Sequence, residues 1–153
     1  MKIICDGFFR NVVKEVVEKK EYQRMKDFVA HGRYSLYDHC FRVALLSYSI
    51  AKRRKRKVDY KSLIRGALLH DFYLYDWHKK HEGHRLHGFF HPAKALRNAR
   101  KYYSLNKKEE NMILSHMFPI TPWFFPYSKE AWILTKADKI CAKKEHHNTF
   151  QRR

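Results

Sequence analysis

The sequence predicts an all-α fold, on three observations. Apolar residues recur three and four positions apart through long segments, as in Phe8, Phe9, Val12, Val13, Val16 and Val17, which is helical periodicity. The chain holds only 5 Gly and 4 Pro in 153 residues, too few for the many turns of a sandwich or barrel. Helix-start residues stand ahead of the periodic segments at Ser35-Leu36-Tyr37-Asp38, Asp59 and Asn106, each offering an oxygen to the unpaired amides of a first turn. With 44% hydrophobic and 16% aromatic residues, one domain with one core is expected over residues 1–153. A bundle of about six to eight helices fits that length.

The first helix is expected over residues 7–19, with Lys19 and Lys20 complementing its carboxyl-terminal dipole. A short second helix follows over about 21–29. These N-terminal helices, within residues 1–30, should pack on the core. His31-Gly32-Arg33 ends them, Gly32 being free to take a left-handed cap. Ser35 and Asp38 form a capping box, with Asp in the usual Glu position. They open a long helix to about residue 54 that presents His39 in its first turn, in line with Val43, Leu46 and Ile50.

The run Lys52-Arg53-Arg54-Lys55-Arg56-Lys57 leaves that helix. It reads either as a solvated, dipole-favoured helix end or as a nucleic-acid patch. No aromatic alternates with the charges, which favours the first.

Asp59 caps the next helix, which closes on Leu68-Leu69-His70-Asp71. Residues 72–90 are irregular and rich in aromatics and histidine, including Trp77, His78, His81, His84 and His87. A stretch this long directly after the doublet reads as a lid or wall. Pro92 suits the first position of a helix to about residue 104, with His91 at its mouth. Asn106 caps a helix with Met112, Ile113 and His116 on one face. Pro119, Pro122 and Pro126 force an extended aromatic loop through Trp123-Phe124-Phe125. Ser128-Lys129-Glu130 opens the last helix, which carries Asp138 in line with Ala131, Leu134 and Cys141. The basic tail 146–153 is expected to fray.

Lys and Arg total 33 against 15 acids, a formal charge of +18 and a pI near 10.0. Such a field draws phosphates, nucleic acid or anionic surfaces. The cysteines, Cys5, Cys40 and Cys141, are odd in number and form no C-x-x-C, so a disulfide framework is excluded and a reducing cytoplasm is expected. The first residues do not read as a signal peptide. No run approaches the roughly 18 apolar residues of a membrane span. Oligomeric state is not encoded in any of these features.

Three polar residues on apolar segments, His39, Asp71 and Asp138, pose one problem. Asp71 and Asp138 are carboxylates where packing excludes water, and an unpaired buried carboxylate is costly. A metal ion bound by His39, His70, Asp71 and Asp138 would answer all three, and imidazole with carboxylate suits a divalent transition metal such as Fe, Mn, Ni, Co or Zn.

These residues carry a resemblance. His39 in H-x-x-R-V-A, His70-Asp71 in L-L-H-D and Asp138 in A-D-K are similar in order and spacing to the HD superfamily of metal-dependent phosphohydrolases, over about residues 30–145. The resemblance implies an all-α HD-domain bundle with the metal inside it. His91 and His116 are placed like the additional ligands of dinuclear members, the small bacterial dinuclear HD hydrolases among them. It implies one or two ions: His39, His70 and Asp138 completing one, His91 and His116 the other, and Asp71 bridging. His87 could replace or assist His91. The chain departs from relatives that cleave cyclic dinucleotides, since Met117 follows His116 and their Gly-Tyr-Pro signature is absent. Leu74 and Tyr75 stand where many relatives have a lysine.

The implied function is cleavage of a nucleotide or other small phosphate ester or anhydride by metal-activated hydroxide. By the resemblance Asp71 would lie between the ions, and His78 and His87 are the candidates to protonate the leaving oxygen. Arg42, Lys94 and Lys139 are candidates to contact phosphate, and Asp76 to orient a loop histidine. Trp77, Trp123, Phe124 and Phe125 are candidates to stack a base. Two alternatives stand beside this: a nucleic-acid-binding module on the same fold, and a di-iron oxygenase of the same fold.

Overall fold

A computed structural model describes residues 2–75 and 87–150. Among them are seven α-helices: α1 (Gly7–Val17), α2 (Lys20–Gln23), α3 (Leu36–Arg53), α4 (Tyr60–Leu69), α5 (His87–Tyr102), α6 (Lys107–Ser115) and α7 (Lys129–Phe150). A 3-10 turn, Arg24–Asp27, and an antiparallel hairpin of β1 (Val29–His31) and β2 (Tyr34–Ser35) join α2 to α3.

The helix starts follow local chemistry. Asp6 caps α1 by accepting from the Phe9 amide at 3.0 Å, and its second oxygen takes the Tyr48 hydroxyl of α3 at 2.7 Å. At Ser35 the expected capping box is complete: the Ser35 hydroxyl accepts from the Asp38 amide, and the Asp38 carboxylate accepts from the Ser35 amide. Asp59 opens α4, and Asn106 with Glu109 forms a second capping box at α6.

Four expectations are corrected. The helix expected over about 21–29 stops at Gln23, and Gly32, at φ 60°, turns a hairpin instead of capping a helix. Val29 is exposed and Ala30 buried, the alternation of a strand. The next helix in which Pro92 was expected to come first begins at His87, and His91 lies inside it. The added turn is held in part by Phe89, whose ring stacks on Trp123 at 6.1 Å. Lastly, the tail expected to fray from residue 146 is helical through Phe150. Glu145 is fully buried there, and the His146 ring lies 4.9 Å from His31.

α3 is the central helix, packed most extensively on α4 and α7. α1 covers α4 and also meets α3, where Phe9 lies against Phe41 and Tyr48. α6 closes the far side, approaching α4 at Gly66. A Cβ there would lie 2.7 Å from the Met112 methyl, so glycine sets that close approach. No described helix is long and apolar enough to cross a membrane, and Cys5, Cys40 and Cys141 are all free thiols.

The end of α4 is pinned from two sides. The buried Tyr22 hydroxyl donates to the Leu68 carbonyl at 3.0 Å, and the Asn98 amide donates to the Phe72 and Tyr73 carbonyls, each at 3.1 Å. Leu74, at φ 52°, then turns the chain in a conformation that non-glycine residues rarely take. Tyr22→Phe leaves the Leu68 carbonyl buried without a donor, at a cost of about 1–2 kcal/mol. The thermal midpoint should fall by about 3–5 °C in a calorimetric scan, and an unchanged midpoint would show that this bond does not hold α4.

Candidate metal centre

Five helices bring six polar side chains to one place. His39 comes from the first turn of α3. His70 and Asp71 end α4, His91 lies on α5, His116 ends α6, and Asp138 lies on α7. All six are buried, Asp71 at 7% exposure and Asp138 at 8%.

The inward atoms fall into two groups that share Asp71. In the first, His39 Nε2 lies 3.0 Å from Asp138 Oδ1 and 3.7 Å from Asp71 Oδ2, while His70 Nε2 lies 3.6 Å from each of those oxygens. In the second, Asp71 Oδ1 lies 3.2 Å from His91 Nε2 and 3.4 Å from His116 Nε2, and the two nitrogens are 2.8 Å apart. Ligand atoms at about 2.1 Å from a common ion stand about 3–3.5 Å from their neighbours. The distances in the two groups, 2.8–3.7 Å, bracket that spacing, and the two oxygens of Asp71 face one group each.

The backs of three rings are fixed. His70 donates its Nδ1 proton to the Ala67 carbonyl and His116 donates its own to the Ile113 carbonyl, both at 2.7 Å. Each histidine is the C-terminal cap of its helix, so each satisfies a carbonyl that the helix leaves unpaired. His39 Nδ1 faces the Glu145 carboxylate at 2.8 Å, and Glu145 is in turn held by Arg42 at 3.2 Å. With Nδ1 engaged outward, Nε2 is the nitrogen that faces inward, the arrangement that orients metal-binding imidazoles.

Two unpaired atoms of the donor set fit a divalent ion. His70 Nε2 and Asp71 Oδ1 are buried and make no aligned hydrogen bond. Such atoms are expected to have a partner, and an ion meets both needs. Thiols do not take part: Cys40 Sγ lies behind His70, 3.8 Å from Nδ1, and burial with Glu145 and Asp138 nearby pushes the Cys141 thiol up to about 12. Imidazole and carboxylate are the donors present, and they fit a divalent transition metal.

Charge balance points the same way. Arg42 pairs with Glu145, and among the described residues no Lys or Arg forms an ion pair with Asp71 or Asp138. Burial alone would lower the His39 pKa, but the hydrogen bonds to Asp138 and Glu145 hold it up at about 10. Burial is likewise outweighed at His70, where the Asp71 charge raises the pKa well above its usual value. Asp71 and Asp138 are held below the usual carboxylate range by these imidazoles despite their burial. Burial lowers His116, which stays neutral. Two protons, on His39 and His70, or one divalent ion would balance the two carboxylates.

Other residues singled out by the sequence lie elsewhere. Besides Glu145, the Arg42 guanidinium faces the Tyr34 ring at 4.7 Å. The Lys139 ammonium donates to the Phe118 carbonyl. Lys94 sits over the Tyr75 ring at 4.6 Å. Each of the three cations is thus engaged by a group outside the set of six. Trp123 is exposed and stacked on Phe89. Asp76, Trp77 and His78 lie outside the described residues, as does the side chain of His87.

Glu145 escapes a reading that ends the last helix's apolar stripe at Cys141. The stripe Ala131, Leu134, Asp138, Cys141 continues by four residues to Glu145, and that continuation is the signal for it.

A family model for the HD domain matches residues 36–143, and the chain belongs to the HD domain family. That superfamily comprises metal-dependent phosphohydrolases and binds divalent metals. No curated protein and no solved structure matches the chain.

The raised pKa of His39 predicts a pH dependence. The folded state binds this proton more tightly than the unfolded chain, whose imidazole titrates near its ordinary 6.5. The metal-free fold therefore keeps this stabilisation below about pH 6.5 and loses it as pH rises toward about 10. An ion competes with the proton for Nε2, so its stabilisation grows over the same range. Thermal midpoints between pH 6 and 9 should fall with chelator and hold or rise with Mn2+. Parallel curves would show that no ion displaces the proton.

Proposed function

We propose that the chain is a metal-dependent phosphohydrolase of small phosphate esters or anhydrides, nucleotides included. The observation that supports it best is the division of Asp71, with Oδ2 facing His39, His70 and Asp138, and Oδ1 facing His91 and His116. In this reading the first set holds one ion and the second set another, with Asp71 between them. Divalent ions there would supply Lewis acidity and lower the pKa of bound water toward neutrality.

The chain's own residues then have separable tasks. Glu145, backed by Arg42, holds the His39 ring in the tautomer that presents Nε2 inward. The Ala67 and Ile113 carbonyls do the same for His70 and His116. Leu69, Phe72 and Leu134, neighbours in sequence of the inward residues, are buried, and a site with little water strengthens electrostatic interactions inside it. Two divalent ions against two carboxylates would give the centre net positive charge, which would favour an anionic substrate. The surplus of Lys and Arg over the whole chain raises the encounter rate with such substrates. Lys94, on the same helix as His91, is the described cation assigned to approach phosphate on the substrate side. His78 or His87 is assigned to protonate the leaving oxygen, with Asp76 orienting it.

The test is phosphate release from a panel of phosphomonoesters, nucleotides and cyclic dinucleotides by chelator-stripped protein, with Mn2+ or Fe2+ added back. Activity should return with the ion and fall by about 1000-fold or more in Asp71→Asn. Glu145→Gln should keep activity at saturating ion while weakening ion affinity by about 10–100-fold. Full activity in Asp71→Asn would contradict the proposal. Dioxygen consumption without phosphate release would replace it with the oxygenase reading, which the same donor set suits.

A further inference from the structure

Outside the metal centre, the fold assembles a second feature that the sequence shows only in pieces. The basic run at the end of α3 lies against the first turns of α7. Between them is a cleft of about 240 Å³ lined by Arg54, Arg56, Lys129, Lys136, Trp132 and Ile133, among others. Lys55, at φ 48°, ends α3 in a left-handed turn between the two arginines. Lys129 and Lys136 stand roughly half a turn around α7 from Asp138, so the cleft and the metal centre use different faces of that helix.

The cations of the cleft make no ion pair among the described residues, and all four are exposed. The nearest acid in sequence, Glu130, is turned inward and holds the Asp59 amide at 2.7 Å and the Lys108 ammonium at 2.9 Å. Four like charges brought together without acids repel one another, and their usual remedy is an anion. Trp132 lies among them with 46% of its surface exposed. Its ring is braced edgewise by Phe118 and Phe125, with centroids 5.5 and 5.8 Å away, so it is a firm platform. The basic run has no interleaved aromatic of its own. The fold supplies one from α7.

We propose that this cleft binds single-stranded nucleic acid, with a base against Trp132 and flanking phosphates on Arg54, Arg56, Lys129 and Lys136. A flat apolar ring within a set of cations is the combination that single strands use, because every base has a face to stack and every linkage a charge. The cleft is concave and sized for one ring, which favours a nucleotide chain over the broad plane of a membrane. Duplex would offer more charge but no free base. The site is independent of the proposed hydrolysis.

The experiment measures fluorescence anisotropy of labelled 15-nucleotide oligo(U) and oligo(dT), the matching duplex, and anionic phosphatidylserine vesicles, all in chelator. Single strands should bind more tightly than duplex. Trp132→Ala should weaken that binding by about tenfold while barely changing duplex binding. Replacing Arg54, Arg56, Lys129 and Lys136 with Gln should flatten the slope of log affinity against log salt by up to about 3. The control replaces Arg97, Lys101, Lys143 and Lys144, equally exposed cations outside the cleft, and should flatten it far less. Thermal midpoints confirm that each variant is folded, and Trp132→Phe, which keeps a ring, should retain most of the affinity. Equal losses in the two four-residue variants, indifference to Trp132→Ala, or vesicle binding without strand binding would each overturn the proposal.

Discussion

Two carboxylates, Asp71 and Asp138, sit within a buried cluster to which the described residues bring no fixed cation. Everything near them is arranged around that deficit. In an ion-free state it is met by protons on His39 and His70, whose imidazoles are held charged against the pull of burial. A divalent ion meets it with one particle instead of two protons. A second ion beside His91 and His116 would turn the deficit into a surplus, and a surplus of positive charge in a dry site is what a phosphate substrate requires.

The fold delivers this cluster by ending helices on histidines. His70 and His116 are both C-terminal caps, and both spend Nδ1 on the carbonyl three residues back. One hydrogen bond thereby finishes the helix and aims the opposite nitrogen inward. His39 is aimed differently, by Glu145 from two turns further along α7 than Asp138. α7 therefore contributes both an inward carboxylate and the group that orients a neighbouring ring, which explains why it continues as helix beyond the point where its composition turns polar.

Much of this was legible in the sequence, for a physical reason. A carboxylate in line with Ala131, Leu134 and Cys141, or directly after Leu68-Leu69-His70, breaks the apolar pattern, and such breaks are visible without a structure. His91 and His116 are less conspicuous, since histidine is tolerated in cores, and they gained meaning only by position relative to the doublet. Glu145 was hidden because a polar, basic surrounding masks the helical stripe to which it belongs. Arg42 reads as a free cation until its partner is seen. The hairpin at Gly32 and the early start of α5 turn on close contests between local conformations, decided by packing at Ala30 and by the Phe89–Trp123 stack. The meeting of Trp132 with Arg54 and Arg56 lies beyond any local reading, because α4, α5 and α6 intervene in the chain.

The most direct measurement is anomalous diffraction at the manganese edge from crystals of the purified protein soaked in Mn2+. Two peaks are predicted, one within bonding distance of His39, His70, Asp71 and Asp138, and one within bonding distance of Asp71, His91 and His116. Manganese bound only elsewhere, with these six side chains still packed against one another, would contradict the view that a cation balances Asp71 and Asp138.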